Sequence, residues 1–352
     1  MSLRVGIPTE VKPLEGRVAL PPAAAGELVR RGAEVGIQRG AGARSGYADQ
    51  EYTAMGAQLL DDADSLYEWA QLLLKVKEPE GEELRRLRQD HLLFCFLHLA
   101  ANPDLTRRLC DIGLTAIAFE TVADNGRLPI LLPMSDIAGR IAVQVGAHLL
   151  HTPQGGKGVL LGGLAGVERG RVVVLGAGNA GGASVRAAAA IGADVTVFDR
   201  DPRQLETMHQ VAPNITALIA TDAAVSEAVA AADLLIGAVL LPGAATPRLV
   251  TRAQVASMQD GSVAVDIAVD QGGCIETTRP TTYRSPTYIE EGVVHFCVTN
   301  MPGAVPRSAS QALSAALMRY LLILLQADWR TDARLSAAIN VEAGKVVLPA
   351  LQ

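Results

Sequence analysis

The sequence of 352 residues has little of what marks several large protein classes. Aromatic residues make up only 4% of it, and a net charge of −6 argues against nucleic acid as a main partner, because phosphate binding favours a basic surface. No apolar run approaches the roughly 20 residues that span a bilayer. The N-terminal segment also lacks the apolar core of a signal peptide. We therefore expect a cytoplasmic protein with no membrane and no nucleic-acid partner.

Cysteines are few, and their spacing does not suit a metal centre. Cys95, Cys110, Cys274 and Cys297 form no C-x-x-C pair, which a zinc ribbon would need. Cys95 lies close to His98, but two ligands do not make a site. We predict reduced, buried thiols of the kind found in cytosolic proteins, and no metal.

Small aliphatic residues are abundant, and they suit helices packed closely on parallel strands. The length suggests about two domains. Short apolar runs alternate with helical patterns in two series, and this β-α-β rhythm predicts two parallel sheets. The predicted strands are Leu3–Ile7, Glu34–Gln38, Leu72–Val76, Leu92–Leu97 and Thr115–Phe119, then Val172–Leu175, Asp194–Asp199, Ile215–Ala220, Leu234–Ala238, Val263–Ile267 and Val293–Val298.

Four segments have clear helical patterns. Ala23–Arg31 follows two prolines and ends before a glycine, which is typical of helix boundaries. Gly181–Ile191 joins two predicted strands of the second series. Ile137–Leu150 lies between the two series and is interpreted as a bridge between domains. Ser308–Asp328 is predicted to pack back onto the first domain.

The start of the second series has the fingerprint of a dinucleotide site. The strand Val172–Leu175 runs directly into G-x-G-x-x-G, formed by Gly176, Gly178 and Gly181. The first glycine permits a tight turn, the second lets a pyrophosphate come close to the backbone, and the third lets the helix pack on the strand. The helix N-terminus attracts the phosphates. Asp199, at the end of the next strand, is placed to accept hydrogen bonds from the ribose.

The same aspartate favours NAD over NADP. The carboxylate of Asp199 would repel a 2′-phosphate, and this predicts NAD as the cofactor. Arg200 and Arg203 follow closely, and an arginine is the residue that accommodates that phosphate, so the residues alone leave NADP open.

Polar residues with catalytic potential follow several predicted strands, where α/β sheets bind ligands. Each also has a plain structural interpretation. Arg17 is either a carboxylate-binding cation or part of a surface ion pair. Lys75 and Lys77 either reach a cleft or lie in a solvated loop. His98 either transfers protons or is a core histidine bonded to backbone.

Two further residues follow strands of the second series. Asp270 is either a base or the first residue of a loop. Asn300 either holds a nicotinamide carboxamide or caps a turn.

The ordered set of motifs resembles the alanine dehydrogenase family. They keep one order from the first residues to about residue 325. The matching stretches are Arg4–Pro8, Arg17–Leu20, Lys75–Pro79, His98–Ala100, Pro133–Ser135, Ala138–Arg140, Gly162–Gly163, Gly237–Leu240 with Pro242–Gly243, Asp270–Cys274, Arg279–Thr282 and Asn300–Pro302. Pro21 and Ala315 depart from the pattern, where the family usually has threonine and asparagine.

The resemblance implies an α/β fold of two Rossmann-like domains with parallel sheets, joined by long helices, with the active site in the cleft between them. Residues 1–132 together with 303–352 would bind substrate, and residues 133–302 would bind NAD. It also implies a homohexamer. The implied reaction converts L-alanine, NAD and water reversibly to pyruvate, ammonium and NADH.

The resemblance also assigns roles to residues. Those matching Arg17 and Lys77 hold the carboxylate and carbonyl of the substrate, and those matching His98 and Asp270 handle protons. The residues expected to contact the dinucleotide are Ser135, Gly176, Gly178, Gly181, Asp199, Arg203, Val239, Leu240, Ile267, Asp270, Val298 and Asn300.

Other functions remain open from the sequence. One is a dehydrogenase of another small amino or imino acid, and another is a transhydrogenase-like NAD-binding subunit. A third is an NAD-binding sensor without turnover, although the presence of all four chemical residues argues against it.

Overall fold

Two α/β units make up the chain in the computed structural model, which describes residues 2–239 and 246–351. Unit 1 comprises Met1–Met134 and Gly303–Gln352, and unit 2 comprises Ser135–Pro302. The strands within the described residues are β1 (Arg4–Ile7), β2 (Glu34–Gln38), β3 (Gln58–Leu60), β4 (Leu72–Leu74), β5 (Leu92–Cys95), β6 (Thr115–Ala118), β7 (Arg171–Leu175), β8 (Asp194–Asp199), β9 (Ile215–Ile219), β10 (Leu234–Gly237), β11 (Val263–Asp266), β12 (Thr287–Glu290), β13 (Val293–Phe296), β14 (Ile339–Glu342) and β15 (Lys345–Val346).

Helices cover both sheets. Those in the described residues are α1 (Pro22–Arg30), α2 (Asp49–Ala54), α3 (Ala63–Trp69), α4 (Glu83–Arg86), α5 (Pro103–Ile112), α6 (Leu132–Leu149), α7 (Asn179–Ala190), α8 (Pro202–His209), α9 (Asp222–Ala231), α10 (Arg252–Val255), α11 (Pro306–Leu324) and α12 (Ala333–Ser336). In this part of the chain, no helix combines the length and the apolar character that crossing a membrane requires.

The sheet of unit 1 has the strand order β3-β2-β1-β4-β5-β6-β14-β15. Strands β1 to β6 are parallel, and β14 joins the edge antiparallel to β6. Leu72–Leu74 is buried throughout, as expected for a central strand covered on both faces. Helix α11 packs against α1 in the same unit, and Ser310 on α11 accepts a hydrogen bond from the Val18 backbone.

The sheet of unit 2 has the order β9-β8-β7-β10-β11-β13-β12. Its strands are parallel except for β12, which pairs antiparallel with β13 at one edge. Glycine lets α6 and α7 approach closely in this unit. A Cβ on Gly139 would overlap the carbonyl oxygen of Ala180, and the Ser184 hydroxyl donates a hydrogen bond to the Gly139 carbonyl at 3.0 Å.

The predicted α/β fold with two Rossmann-like, mostly parallel sheets is confirmed. Every predicted strand is present, although several end one or two residues earlier than predicted, where the chain turns at the end of the sheet. Helix α6 begins at Leu132, five residues before the predicted start, and α11 ends at Leu324 rather than Asp328. The short strands β3, β12, β14 and β15 were not predicted, because strands of two to four residues carry little apolar pattern.

Candidate active site and nucleotide site

In unit 1, the candidate substrate residues lie at one edge of the sheet. Strand order reverses between β1 and β4, and ligands of open α/β sheets bind at such a reversal, beyond the carboxyl ends of the strands. Arg17 lies in the loop after β1, Lys77 follows β4, and His98 follows β5, which is the parallel neighbour of β4. The topology thus brings the three residues to the same edge.

Arg17 is held by a buried carboxylate. Its Nε donates to Glu15 Oε1 at 2.7 Å, and its Nη2 donates to Glu15 Oε2 at 2.5 Å. The side chains of Arg17 and Glu15 are only 2% and 0% exposed, so the ion pair is interior and the surface-pair interpretation is wrong. The Nη1 atom of Arg17 lies 3.2 Å from the sulfur of Met134. This bidentate pairing fixes the plane of the guanidinium.

The two lysines after β4 have different surroundings. Lys75 is 1% exposed and its Nζ lies 2.5 Å from Glu83 and 3.4 Å from Glu10. Burial alone would lower the pKa of Lys75, but the Glu10 and Glu83 carboxylates raise it above its usual value. Lys75 is therefore a buried, ion-paired structural residue, and the solvated-loop interpretation is wrong for it.

Lys77 is half-buried and lies within the field of Arg17. Burial, followed by the positive charge of Arg17, lowers the pKa of Lys77. The Glu10 carboxylate accepts the backbone N–H of Val76 at 2.6 Å and that of Lys77 at 3.2 Å, which fixes the turn carrying this lysine. Two basic side chains, Arg17 and Lys77, thus share this edge of the sheet.

His98 has an unusual backbone and an accessible ring. Its φ of 49° is left-handed, a conformation that costs a residue with a side chain about 1–3 kcal/mol. The imidazole stacks on Phe96 at 5.8 Å between ring centroids, and 46% of the side chain is exposed. The core-histidine interpretation is therefore wrong. Glu120 accepts the His98 backbone N–H at 2.6 Å.

In unit 2, the glycine-rich loop lies between β7 and α7, where strand order also reverses. Gly176 has a φ of 96°, and a Cβ there would lie 2.8 Å from the carbonyl oxygen of Ala238. A Cβ on Gly181 would overlap the carbonyl oxygen of Gly176, whereas a Cβ on Gly178 would have no heavy atom within 4 Å. No side chain caps α7, whose first turn therefore presents backbone N–H groups.

The carboxylate of Asp199 braces this loop. Its Oδ2 accepts the Ala177 N–H at 2.6 Å, and its Oδ1 accepts the Asp201 N–H at 2.8 Å. Asp199 is half-buried at the end of β8, next to β7. Arg203, by contrast, has a side chain that is 90% exposed and is paired with Asp201 at 3.1 Å.

The remaining predicted cofactor residues lie mostly at the same edge of this sheet. They follow β10, β11 and β13 in turn, and are Val239, Ile267, Asp270, Val298 and Asn300. Asp270 is exposed on the 3₁₀ turn Ile267–Gln271, and Asn300 has a left-handed φ of 63°. Ser135 is half-buried in the first turn of α6. Leu240 lies outside the described residues.

Asp266, the other aspartate near this edge, has a structural role. Its side chain is buried and accepts hydrogen bonds from Ala268, Cys274, Ile275 and Thr278. Burial raises its pKa despite these donors. Throughout residues 2–239 and 246–351, no three His, Cys, Asp or Glu side chains are grouped as a metal ion would require.

Three residues near the candidate site were missed from the sequence. Glu15 and Met134 contact the Arg17 guanidinium, and Glu120 contacts the backbone of His98. Of these three contacts, only that of Glu15 could have been inferred from the sequence, because Glu15 lies two residues before the arginine it binds. The other two come from segments far along the chain.

Comparison with known proteins places this geometry in a family. Residues 6–138 match the alanine dehydrogenase/PNT N-terminal domain, and residues 142–349 match the alanine dehydrogenase/PNT C-terminal domain. The chain is 47% identical to an alanine dehydrogenase of Halomonas elongata, over 99% of this chain and 96% of that protein.

Two solved structures show the same arrangement of secondary structure. A structure of L-alanine dehydrogenase superposes with a TM-score of 0.96 at 45% identity, covering 99% of this chain and 98% of that one. A transhydrogenase from Sinorhizobium meliloti superposes with a TM-score of 0.86 at 29% identity, covering 99% of each chain.

Proposed function

The chain belongs to the alanine dehydrogenase family and functions as one of its oxidoreductases, and we propose that it catalyses the reversible, NAD-dependent deamination of L-alanine to pyruvate and ammonium. The observation that carries this proposal is the placement of two sets of residues. Arg17, Lys77 and His98 lie at the strand reversal of unit 1, and a glycine-rich loop lies at that of unit 2. Residues 1–132 with 303–352 would bind the substrate, and residues 133–302 the dinucleotide.

Unit 1 has the charges that a small 2-oxo acid needs. In our proposal, Arg17, whose guanidinium plane is fixed by Glu15, binds the carboxylate of the substrate. Lys77 donates a hydrogen bond to the carbonyl oxygen and polarises that bond.

Proton transfer is assigned to His98, together with Asp270. During deamination, water attacks an imine carbon, and a base must take a proton from that water. The accessible imidazole of His98 is suited to take this proton and to return it to the departing amine. The left-handed backbone of His98 is in keeping with a functional constraint.

The loop of unit 2 fits a nicotinamide dinucleotide. The open space at Gly178 suits a pyrophosphate, and the uncapped N-terminus of α7 suits its negative charge. We propose that Gly176, Gly178, Gly181, Asp199, Val239, Leu240, Ile267, Val298 and Asn300, with Ser135, Arg203 and Asp270, contact the cofactor. A bound nicotinamide would supply the hydride acceptor.

The assay that tests this function uses pyruvate, ammonium and NADH. We expect NADH oxidation with L-alanine as the product, weak turnover of 2-oxobutyrate and glyoxylate, and little turnover of 2-oxoglutarate. The preference among apolar acids should be modest, because one methylene changes selectivity by about 1–3 kcal/mol. If pyruvate is inert while a larger acid reacts, the substrate is another amino acid. If every acid is inert although NADH binds, the protein is an NAD-binding sensor without turnover and not a dehydrogenase.

Cofactor preference is tested at Asp199. We expect higher kcat/KM with NAD than with NADP, and Asp199→Asn should narrow the difference by about tenfold, equivalent to about 1.4 kcal/mol. Asparagine keeps an oxygen for the Ala177 N–H but loses the charge that repels a 2′-phosphate. Asp194→Asn, at the exposed amino end of the same strand, is the matched control. An unchanged NAD:NADP ratio in Asp199→Asn would remove this residue from cofactor selection.

The proposal also includes the cellular location, the oligomeric state and the partners of the enzyme. We propose a cytoplasmic homohexamer, which the family resemblance implies. The partners would be small molecules, namely L-alanine, pyruvate and ammonium, without a membrane or nucleic acid.

A further inference from the structure

We propose that Glu120 is the positioning residue for His98: its carboxylate holds the backbone of that residue and faces the imidazole. This inference rests on the proposed function, in which His98 moves a proton. It assigns to Glu120 a role in catalysis although this carboxylate need not touch the substrate.

The backbone contacts come from the turn after β6. Glu120 lies on the 3₁₀ turn Phe119–Thr121, and β6 is the parallel neighbour of β5, which precedes His98. Glu120 Oε1 accepts the His98 N–H at 2.6 Å, and its two oxygens lie 3.2 and 3.3 Å from the Leu97 nitrogen. The carboxylate thus compensates for the left-handed conformation at His98 with charge-assisted hydrogen bonds.

The same carboxylate faces the ring. His98 Nδ1 lies 4.0 Å from Glu120 Oε1, and the Glu120 side chain is only 18% exposed, which limits screening by water. Among the described residues of unit 1, Glu120 is the ionisable group in contact with this imidazole, and the Phe96 ring stacks on it at an interplanar angle of 4°.

The arrangement selects one tautomer. A carboxylate accepts but cannot donate, so a neutral imidazole beside it is favoured with its proton on Nδ1. Nε2 is then left with a lone pair, ready to take a proton. This logic is the same as for a metal-bound or catalytic histidine oriented by a carboxylate.

Glu120→Gln separates this role from simple support. Its amide oxygen can still accept the Leu97 and His98 N–H groups, but the side chain no longer carries the negative charge that favours a proton on Nδ1. We expect kcat to fall by about 10²-fold, the lower end of the contribution of a general acid or base, with KM for pyruvate within about threefold. Glu120→Asp, which keeps the charge, should recover most of that loss.

The control variant is Asp124→Asn. Asp124 is a carboxylate of similar exposure, 20%, four residues along the chain, and it pairs with Arg319 rather than with His98. Its kcat should match that of the wild type. Equal kcat in Glu120→Gln and wild type would overturn the proposal, and so would equal losses in the Gln and Asp variants accompanied by equal falls in Tm.

A spectroscopic readout keeps this inference separate from the proposed function. ¹⁵N shifts of histidine-labelled protein at mildly alkaline pH, assigned with His98→Asn, report which ring nitrogen carries the proton. We expect Nδ1–H in the wild type and Nε2–H in Glu120→Gln. Nε2–H in the wild type would overturn the role of Glu120 even in an active enzyme, whereas failure of the wild type to turn over any 2-oxo acid would instead overturn the proposed function.

Discussion

Replacing His98 by asparagine is expected to lower kcat for pyruvate amination by about 10²–10⁴-fold, the contribution typical of a general acid or base. Asparagine is the sharper substitution because it tolerates the left-handed backbone at this position. Alanine would remove the imidazole but add strain to the same φ. The measurement is kcat and KM at saturating NADH, with circular dichroism and Tm as checks on folding.

Asp270→Asn should have a similar effect on kcat. Asp270 is exposed on a 3₁₀ turn, so its loss removes no buried charge, and Tm should change little. NADH binding to this variant must be measured separately, because Asp270 is also proposed to contact the cofactor. His209→Asn, at the exposed end of α8, is the control for a histidine without a catalytic role. Near-normal rates in both His98→Asn and Asp270→Asn would mean that these residues do not transfer protons.

The second large effect is expected from substitutions in the glycine-rich loop. Two of them distinguish a loss of NADH affinity from a loss of thermal stability. Gly178→Ala should leave Tm close to that of the wild type, because its Cβ meets nothing within 4 Å and its φ of −67° suits any residue. The methyl group would nevertheless occupy the space proposed for the pyrophosphate. We expect NADH affinity to fall at least about tenfold, equivalent to about 1.4 kcal/mol.

Gly181→Ala, in contrast to Gly178→Ala, should lower thermal stability as well as NADH affinity. Its Cβ would overlap the carbonyl oxygen of Gly176, so α7 must move away from the sheet and Tm should fall together with NADH affinity. Gly182→Ala is the control, because its Cβ would lie 3.3 Å from the flexible end of Arg186 and the position is helical. Thermal unfolding measures Tm, and fluorescence titration with NADH measures the affinity of each variant. A Gly178→Ala variant that binds NADH normally would move the pyrophosphate away from this loop.

Sequence predicted the fold and the conformation of the glycine-rich loop well because both depend on local rules. The glycines, the buried strand before them and Asp199 all act on residues close along the chain or on a neighbouring strand. Apolar runs in regular alternation with helices also specify parallel sheets without any knowledge of distant contacts.

The surroundings of the chemical residues were less predictable. Glu120 is 22 residues from His98, and Met134 is 117 residues from Arg17, and nothing in either segment signals those contacts. The two lysines after β4 look equivalent in sequence. Only the positions of Glu10 and Glu83 show that Lys75 is enclosed in an ion cluster while Lys77 is half-buried at the sheet edge.

The discontinuous make-up of unit 1 has a consequence for synthesis. Strand β14 pairs with β6, and α11 packs on α1, so the last seventh of the chain completes a sheet begun at the first residues. A chain growing from its N-terminus can finish all strands of unit 2 while the open edge of β6 still lacks its partner. That edge is a template for pairing with other chains. In nascent protein this edge therefore stays open to such pairing from the synthesis of residue 118 until the arrival of residue 342.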